Sequence, residues 1–440
     1  MTHACRKIAA HWLRIGIICS VISGCATYSS SFRPLEKEIT ANRPDQALKI
    51  LEKQNPSGND RLLYFLNKAM LLRMMGNYKE SNQNLELAKK FIEEKSPKSV
   101  TEETAAFIIN DSTRAFVGAP FEQVLVHLYS ALNYIQLGEV DSARVEAAQV
   151  DVKLKLLAQD DENPILIADP FARYLTGIIY EDLGEWSNAL IAYRKAYESY
   201  KAHKKYYPAN IPRYLKEDLL RLTEFEGLRN ERDRYKKEFN IKSWPSHKDQ
   251  KALGEIILMV HNGLAPIKRE QSVGHATPTG RLIRISLPFY EKRRNGFDQA
   301  RLRVAKQTAI STEVKDINHI ADKTLQAYLP AITARAVARI VAKQKVADEA
   351  GDKSPIAGLI VNIANFATEV ADTRSWLTLP GEIHLARLPI KPGTYDITIE
   401  LLNHTDNILF TRQFKDVKVK RGAKTYLSQH WVSPFSIRSK

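Results

Sequence analysis

"GIIYEDLGEWSNALIAYRKAYESY", residues 177–200, decides the fold of the N-terminal half. Gly184 interrupts an apolar-periodic run, Ala189 follows five residues later, Tyr193 four after that and Ala196 three beyond. The same order recurs twice upstream. "LGEVDSARVEAAQV" carries Gly138, Ala143, Ala147 and Val150, and "MGNYKESNQNLELA" carries Gly76, Ser81, Leu85 and Ala88. A fainter copy, "ANRPDQALKILEK", sets Ala47 34 residues before Ser81. A glycine that stops one helix, followed by small residues at three- and four-residue spacing, predicts pairs of closely packed antiparallel helices.

The pattern resembles the tetratricopeptide repeat, a helix-turn-helix of about 34 residues in which small side chains let two helices approach. It is fullest at residues 171–201, where Gly177 and Tyr180 also fall at first-helix positions, and thinnest at 34–53. Insertions, among them the acidic "AQDDENP", separate the later copies. Helical periodicity continues through "IPRYLKEDLLRLTEFEGLRNERDRYKKEF", which is expected to cap the stack with a polar outer face. The resemblance implies an α-solenoid over residues 34–240, with the first helix of each repeat facing a protein partner. Tyr64, Lys68 and Arg73, then Tyr129 and Asn133, then Arg173 and Tyr174 are the candidate contacts on that inner face.

"NIKSWPSHKDQK" has a proline and no period, so residues 241–252 read as a linker, with a boundary near residue 245. Beyond it seven strands are expected: "GEIILMVHNG", "GRLIRISLPFY", "ARLRVAKQTAI", "GEIHLARLPI", "GTYDITIELL", "FKDVKVK" and "KTYLSQHWV". They predict a β-sandwich-like domain over 253–440, interrupted by a helical hairpin at about 317–371. Ser354-Pro355 opens the second helix of that hairpin. In the first, Arg335, Arg339 and Lys343 recur every four residues as a basic stripe, with Val337, Ile340 and Val341 towards the other side. Such a stripe is expected either to meet an anionic surface or to be simply solvated. The predicted fold class is therefore α+β and multidomain: a tetratricopeptide-like α-solenoid followed by a β-sandwich-like domain with a helical insertion.

The chain has three cysteines, Cys5, Cys19 and Cys25, and none in the 415 residues that follow. Residues 1–24 carry early positive charge, a short apolar run and small residues, the layout of a cleaved export signal. Ile22-Ser23-Gly24-Cys25 resembles the lipobox of bacterial lipoproteins, which implies lipidation of Cys25 and a tether over residues 25–33. Ala26 lacks the aspartate that retains such proteins at the inner membrane. The resemblance thus implies the periplasmic face of the outer membrane. Cys25 as the acylated residue leaves the mature body without thiols for disulfides, thiol catalysis or cysteine-held zinc.

Catalytic and metal motifs are missing: there is no H-E-x-x-H pair, no G-x-S-x-G elbow and no phosphate-cradling glycine loop. No enzyme, no cofactor and no metal is expected, and lone histidines such as His127 and His261 read as structural. Residues 25–240 carry 31 basic and 32 acidic side chains and residues 241–440 carry 31 and 18, so the basicity lies in the C-terminal half. An exported protein has no nucleic acid to meet, which leaves anionic lipid, glycan or acidic proteins. Three further stretches are too particular for filler: "GAPFEQVLVH" at 118–127, "HNGLAPIKRE" at 261–270 and "ADTRSWLTLPGEIHLARLPIKPG" at 371–393. Together with the lipobox and repeats they resemble a family of uncharacterised bacterial repeat lipoproteins of the cell envelope, a resemblance that implies no catalytic residues. Asp372, Arg374 and Trp376 are expected to fix the corner between helix and strand. The expected function is a periplasmic protein-interaction scaffold in envelope assembly. The alternative is a binding module for anionic lipid, lipopolysaccharide or glycan through the basic C-terminal domain.

Overall fold

The computed structural model describes residues 28–54, 58–95, 114–160, 169–204, 211–276, 282–294 and 296–433. The signal segment and Cys25 lie outside the described residues, as does most of the acidic "QDDENP" loop. A short α1 (Tyr28–Ser31) precedes five helix pairs: α2 (Arg33–Thr40) with α3 (Pro44–Glu52), α4 (Arg61–Met74) with α5 (Tyr78–Lys95), α6 (Pro120–Leu137) with α7 (Val140–Asp160), α8 (Pro170–Asp182) with α9 (Trp186–His203), and α10 (Arg213–Phe225) with α11 (Arg229–Phe239). Asn42, Gly76, Gly138, Gly184 and Gly227, all with φ between 56° and 84°, end the first helix of each pair. A β-carbon strains this left-handed conformation, so glycine, or asparagine, which tolerates it best among the other residues, punctuates the repeat. The small residues of the second helices are buried where the partner helix approaches: Ala47, Ala143, Ala189 and Ala196 are fully covered. Closest of all is Gly177, whose added β-carbon would stand 2.3 Å from the Tyr193 ring. The segment expected to cap the stack is thus a fifth pair, α10–α11.

Two expected spacers are packed structure. Of the tether, residues 28–33 belong to the fold: Phe32 is buried with Leu35 and Ile39, and the Tyr28 hydroxyl accepts from Asn67 Nδ2 at 2.7 Å. In the linker, Ile241 and Trp244 pack on the main core. Ser246 caps a further helix, α12 (His247–Ala252), accepting from Asp249 N at 3.1 Å. The His247 ring meets Trp186 and Phe225 at centroid separations of 4.5 and 3.9 Å.

The C-terminal half has ten described strands: β1 (Gly254–Asn262), β2 (Ile267–Ala276), β3 (Leu282–Glu291), β4 (Gln299–Val304), β5 (Gln307–Ile310), β6 (Thr312–Asp316), β7 (Glu382–Ile390), β8 (Gly393–Leu402), β9 (Ile408–Val419) and β10 (Lys424–Trp431). The single strand expected in "ARLRVAKQTAI" is a hairpin, β4–β5, turning at Ala305, while β2 and β6 had no counterpart among the expected strands. One sheet runs β10-β1-β7-β6, a second β5-β4-β8-β9, and β2-β3 stands apart as a ribbon. Between β6 and β7 lie α13 (Ile317–Lys353) and α14 (Pro355–Thr368). Ser354 does sit at the N-cap of α14, though its side chain makes no capping bond. These two helices touch through glycines, since a β-carbon on Gly358 would lie 2.7 Å from the Gly351 Cα.

Both faces of the first sheet are covered. Ile256, Leu258 and Val260 of β1 and Ala386, Leu388 and Ile390 of β7 join Leu302, Ile397 and Ile399 of the second sheet in one apolar cluster. The alternate residues, Ile257 and Met259 of β1 and Ile383 and Leu385 of β7, join the helical core with Tyr129, Tyr174 and Leu219. Side chains alternate across a strand, so burial of every residue of β1 requires two covering layers. The solenoid is the second layer.

A charged network runs through that second interface. Arg387 of β7 donates to both carboxylate oxygens of Glu255 on β1, at 2.7 and 3.0 Å, and to the Tyr174 hydroxyl on α8 at 2.7 Å. It also pairs with Asp218 of α10. Arg221 bridges Asp218 and Glu181 at 2.8 Å each, and Lys424 of β10 bridges Glu181 at 3.1 Å and Glu255 at 2.8 Å. Three cations and three carboxylates close on one another. Burial alone would push the Glu255 carboxyl up, but Arg387 and Lys424 outweigh it and hold it down at about 2.

Removing one partner of a buried, hydrogen-bonded pair strands the other charge, at about 3–5 kcal/mol. Arg387→Met is therefore expected to lower the unfolding free energy by that amount in urea titration, with both halves losing structure together. A second test uses pH. Burial, followed by Arg73, lowers His261 well below its ordinary 6.5, and burial lowers His430 to about 4 although its bond to the Gly263 carbonyl works the other way. The unfolded chain takes these protons near 6.5 and the folded chain only much lower, so their contribution is complete above pH 6.5 and is lost as pH falls towards 4. Glu313, which burial raises to about 7, works the other way over the same range, so the test is by difference: below pH 6.5 the urea midpoint of the parent should fall relative to that of a His430→Gln variant, with a constant offset between the two from pH 8 to 7.

Candidate functional site

The inner face expected to receive a partner is occupied by the chain's own first sheet. Tyr129, Asn133 and Tyr174 are fully buried and Arg73 is nearly so. Arg73 pairs with Asn133, donates to Ser428 Oγ of β10 at 3.1 Å and lies 3.5 Å from His261 Nε2 on β1. Tyr129 meets His261 at 3.4 Å, and Tyr174 meets Arg387. Arg173 is half-buried, donates to Ser199 Oγ and lies 3.7 Å from the Asp151 carboxylate; Lys68 pairs with Glu52 at 2.8 Å; Tyr64 packs at the edge of the N-terminal cluster. The candidate contacts thus serve packing between and within the two halves. Repeat geometry identifies which helix face is concave but not what fills it.

The basic stripe is also turned inward in part. Arg339 and Lys343 are buried and reach the two oxygens of Glu369, itself 3% exposed, at 3.3 and 3.0 Å. Only Arg335 of the three is exposed. Val337 and Val341 face solvent, at 45% and 51% exposure, while Ile340 is half-buried, so neither expected face is kept intact. The reason is Glu369, just beyond α14, whose buried carboxylate draws both cations to the hairpin's inner side.

What the fold does bring together is the three singled-out stretches. Gly118, Ala119 and Glu122 from the first, Lys268 from the second, and Ala371, Asp372 and Arg374 from the third line one cleft of about 270 Å³. It opens between the start of α6, the β2–β3 ribbon and α13. Glu122 fixes its floor: one carboxylate oxygen accepts from its own helix at Ala119 N and the other from Trp376 N, each at 2.7 Å. Trp376, 1% exposed, packs edge-on against Tyr129 and donates through Nε1 to Thr378 at 3.1 Å. Arg374 donates to Asp372 at 2.9 and 2.8 Å and to the Arg114 carbonyl at 2.8 Å, tying the corner to the solenoid.

The cleft is cationic, with Arg114, Lys268, Arg335, Arg339 and Arg374 around it against Glu122 and Asp372. Both acids are engaged by the fold. Burial pushes Glu122 up while its two backbone N–H partners and Lys268 pull it back; burial also pushes Asp372 up, but Arg374 overcomes that and holds it below the ordinary carboxylate range. Tyr290, in the wall, is driven well above its usual value by burial and by Glu122, so its hydroxyl keeps its proton as a donor. No nucleophile–base pair faces the cleft. Among the described residues no group of three or more His, Cys, Asp or Glu side chains is arranged to hold a metal, and no helix is long and apolar enough to cross a membrane. His127 bonds Glu146 at 2.9 Å.

No protein-family model and no curated protein matches the chain. Solved structures with helical repeats are similar to its N-terminal half. MamA from AMB-1 is 17% identical, with 48% of this chain and 88% of that one covered, at a TM-score of 0.29. A putative kinesin light chain of Podosopora anserina with TPR-like repeats is 14% identical, with 48% and 92% covered, at 0.30. The helical-repeat assignment rests on the chain's own five pairs and their left-handed stops.

Glu122→Ala leaves the buried Trp376 N–H without its acceptor and frees the cleft floor. A buried unsatisfied donor costs about 1–3 kcal/mol, and a bond to a charged acceptor is worth about as much. The expected loss is about 2–4 kcal/mol by denaturant unfolding, with Glu122→Gln, which keeps one acceptor oxygen, losing less.

Proposed function

We propose that this chain is a lipid-anchored lipoprotein of the outer membrane, held on the periplasmic side through Cys25, and that it serves as a protein-interaction scaffold in cell-envelope assembly. Peptidoglycan synthase, secretion, pilus and polysaccharide machinery are the settings this architecture suits. Tetratricopeptide-like repeats and a sandwich-like β-domain locked by a buried ion network into one unit carry the reading, because such a unit presents fixed surfaces to a partner. The inner face being filled, a protein partner is left the outer helices and the junction of the two halves. The observed cationic cleft favours a second reading beside this one: the C-terminal half as a module for anionic lipid, lipopolysaccharide or glycan.

Cys25→Ala is expected to abolish acyl labelling and move the protein from the membrane to the soluble fraction; unchanged labelling and fractionation would contradict the anchor. Affinity capture from detergent-solubilised envelopes should return a stoichiometric protein under the scaffold reading. Capture of lipid or glycan alone would replace that reading with the second.

A further inference from the structure

We propose that the cleft between the start of α6, the β2–β3 ribbon and α13 binds a phosphate ester of about sugar-phosphate size. This rests on the second reading above and is independent of the scaffold reading. The volume, about 270 Å³, lies just under the roughly 300–1,000 Å³ of typical small-molecule sites. A compact ligand fits it.

Charge narrows the class. Five cations line the cleft, of which Arg339 is engaged by Glu369 and Arg374 by Asp372, while Glu122 is engaged by backbone N–H groups. Lys268 and Arg335 form no salt bridge or hydrogen bond with any described residue. They stand on different walls, one on the ribbon and one on α13, so an anion between them meets positive charge from two sides. A carboxylate offers two oxygens in one plane. A phosphate monoester offers three terminal oxygens and close to two negative charges, matching donors from several directions. The protonated Tyr290 hydroxyl adds a neutral donor, and Phe116, Pro288 and Ile332 supply an apolar wall for the carbon skeleton of the ester.

Such an ester reaches the periplasm either as a free sugar phosphate or as a lipid headgroup. Calorimetric titration of the full-length, unacylated Cys25→Ala chain with glucose 1-phosphate, with glucose as the uncharged control, and flotation with vesicles containing phosphatidic acid, whose headgroup is also a phosphate monoester, separate the two. Saturable, salt-weakened binding of glucose 1-phosphate but not glucose is expected. Lys268→Gln with Arg335→Gln should weaken it at least tenfold without changing the melting temperature. Lys268→Arg with Arg335→Lys should retain it, as should Lys306→Gln on the exposed β4–β5 turn. Vesicle binding that is lost in the Gln pair assigns the lipid source, and its absence beside glucose 1-phosphate binding assigns the free ester. The proposal is overturned if the parent chain binds glucose 1-phosphate no better than glucose, or if the Gln pair binds it equally well. Vesicle binding indifferent to the Gln pair overturns the cleft while leaving the second reading in place.

Discussion

Arg387 is the constraint on which the two halves depend. A guanidinium in the interior is tolerable only when its donors are met, and here they are met by Glu255 in its own sheet and by Tyr174 and Asp218 on two different helix pairs. Coulomb attraction at such sites largely offsets desolvation rather than adding much net stability. Its consequence is geometric. A shift of the sheet along the helices by one residue would leave charges facing apolar partners, so the network fixes the register in which sheet and solenoid meet.

That register explains other features. Strand β1 is apolar at almost every position because it lies between two layers; Glu255 is polar because it meets Arg387 and Lys424 of the two neighbouring strands, and His261 because it meets Tyr129 of α6. Asp169 and Tyr200 extend the contact towards β6, pairing with Lys315 and the Val314 carbonyl. The helical repeat, a form often used to hold another protein, is used here first to hold the chain's own sheet. The surfaces left over are the outer helices and the cleft where three distant stretches converge around Glu122.

The solenoid was legible because its determinants are local: a left-handed stop and small residues at fixed distances do not depend on the rest of the chain. So were most strands, and the hairpin between β6 and β7. Strands β2 and β6 were not: "IKREQSVGHA" is largely polar, as befits half of an isolated ribbon, and "TEVKD" is a five-residue edge strand. Of the residues expected on the inner face, Arg73, Tyr129 and Tyr174 meet strand residues more than a hundred positions away, while Lys68 and Arg173 meet side chains of other helices. Likewise the stripe of Arg335, Arg339 and Lys343 has the spacing of a helix face, but Glu369 decides which way it points. The cleft shows the same limit from the other side: its stretches were conspicuous separately, and nothing in their spacing said that they meet.

Native-state hydrogen exchange on the intact protein tests most directly whether sheet and solenoid form one cooperative body. The amides of α8 and of β1 and β7 should fall in the same slowest class, opening with a single free energy equal to that of global unfolding. Strands that exchange through a separate opening, at a free energy well below that of the helices or well above it, would contradict it.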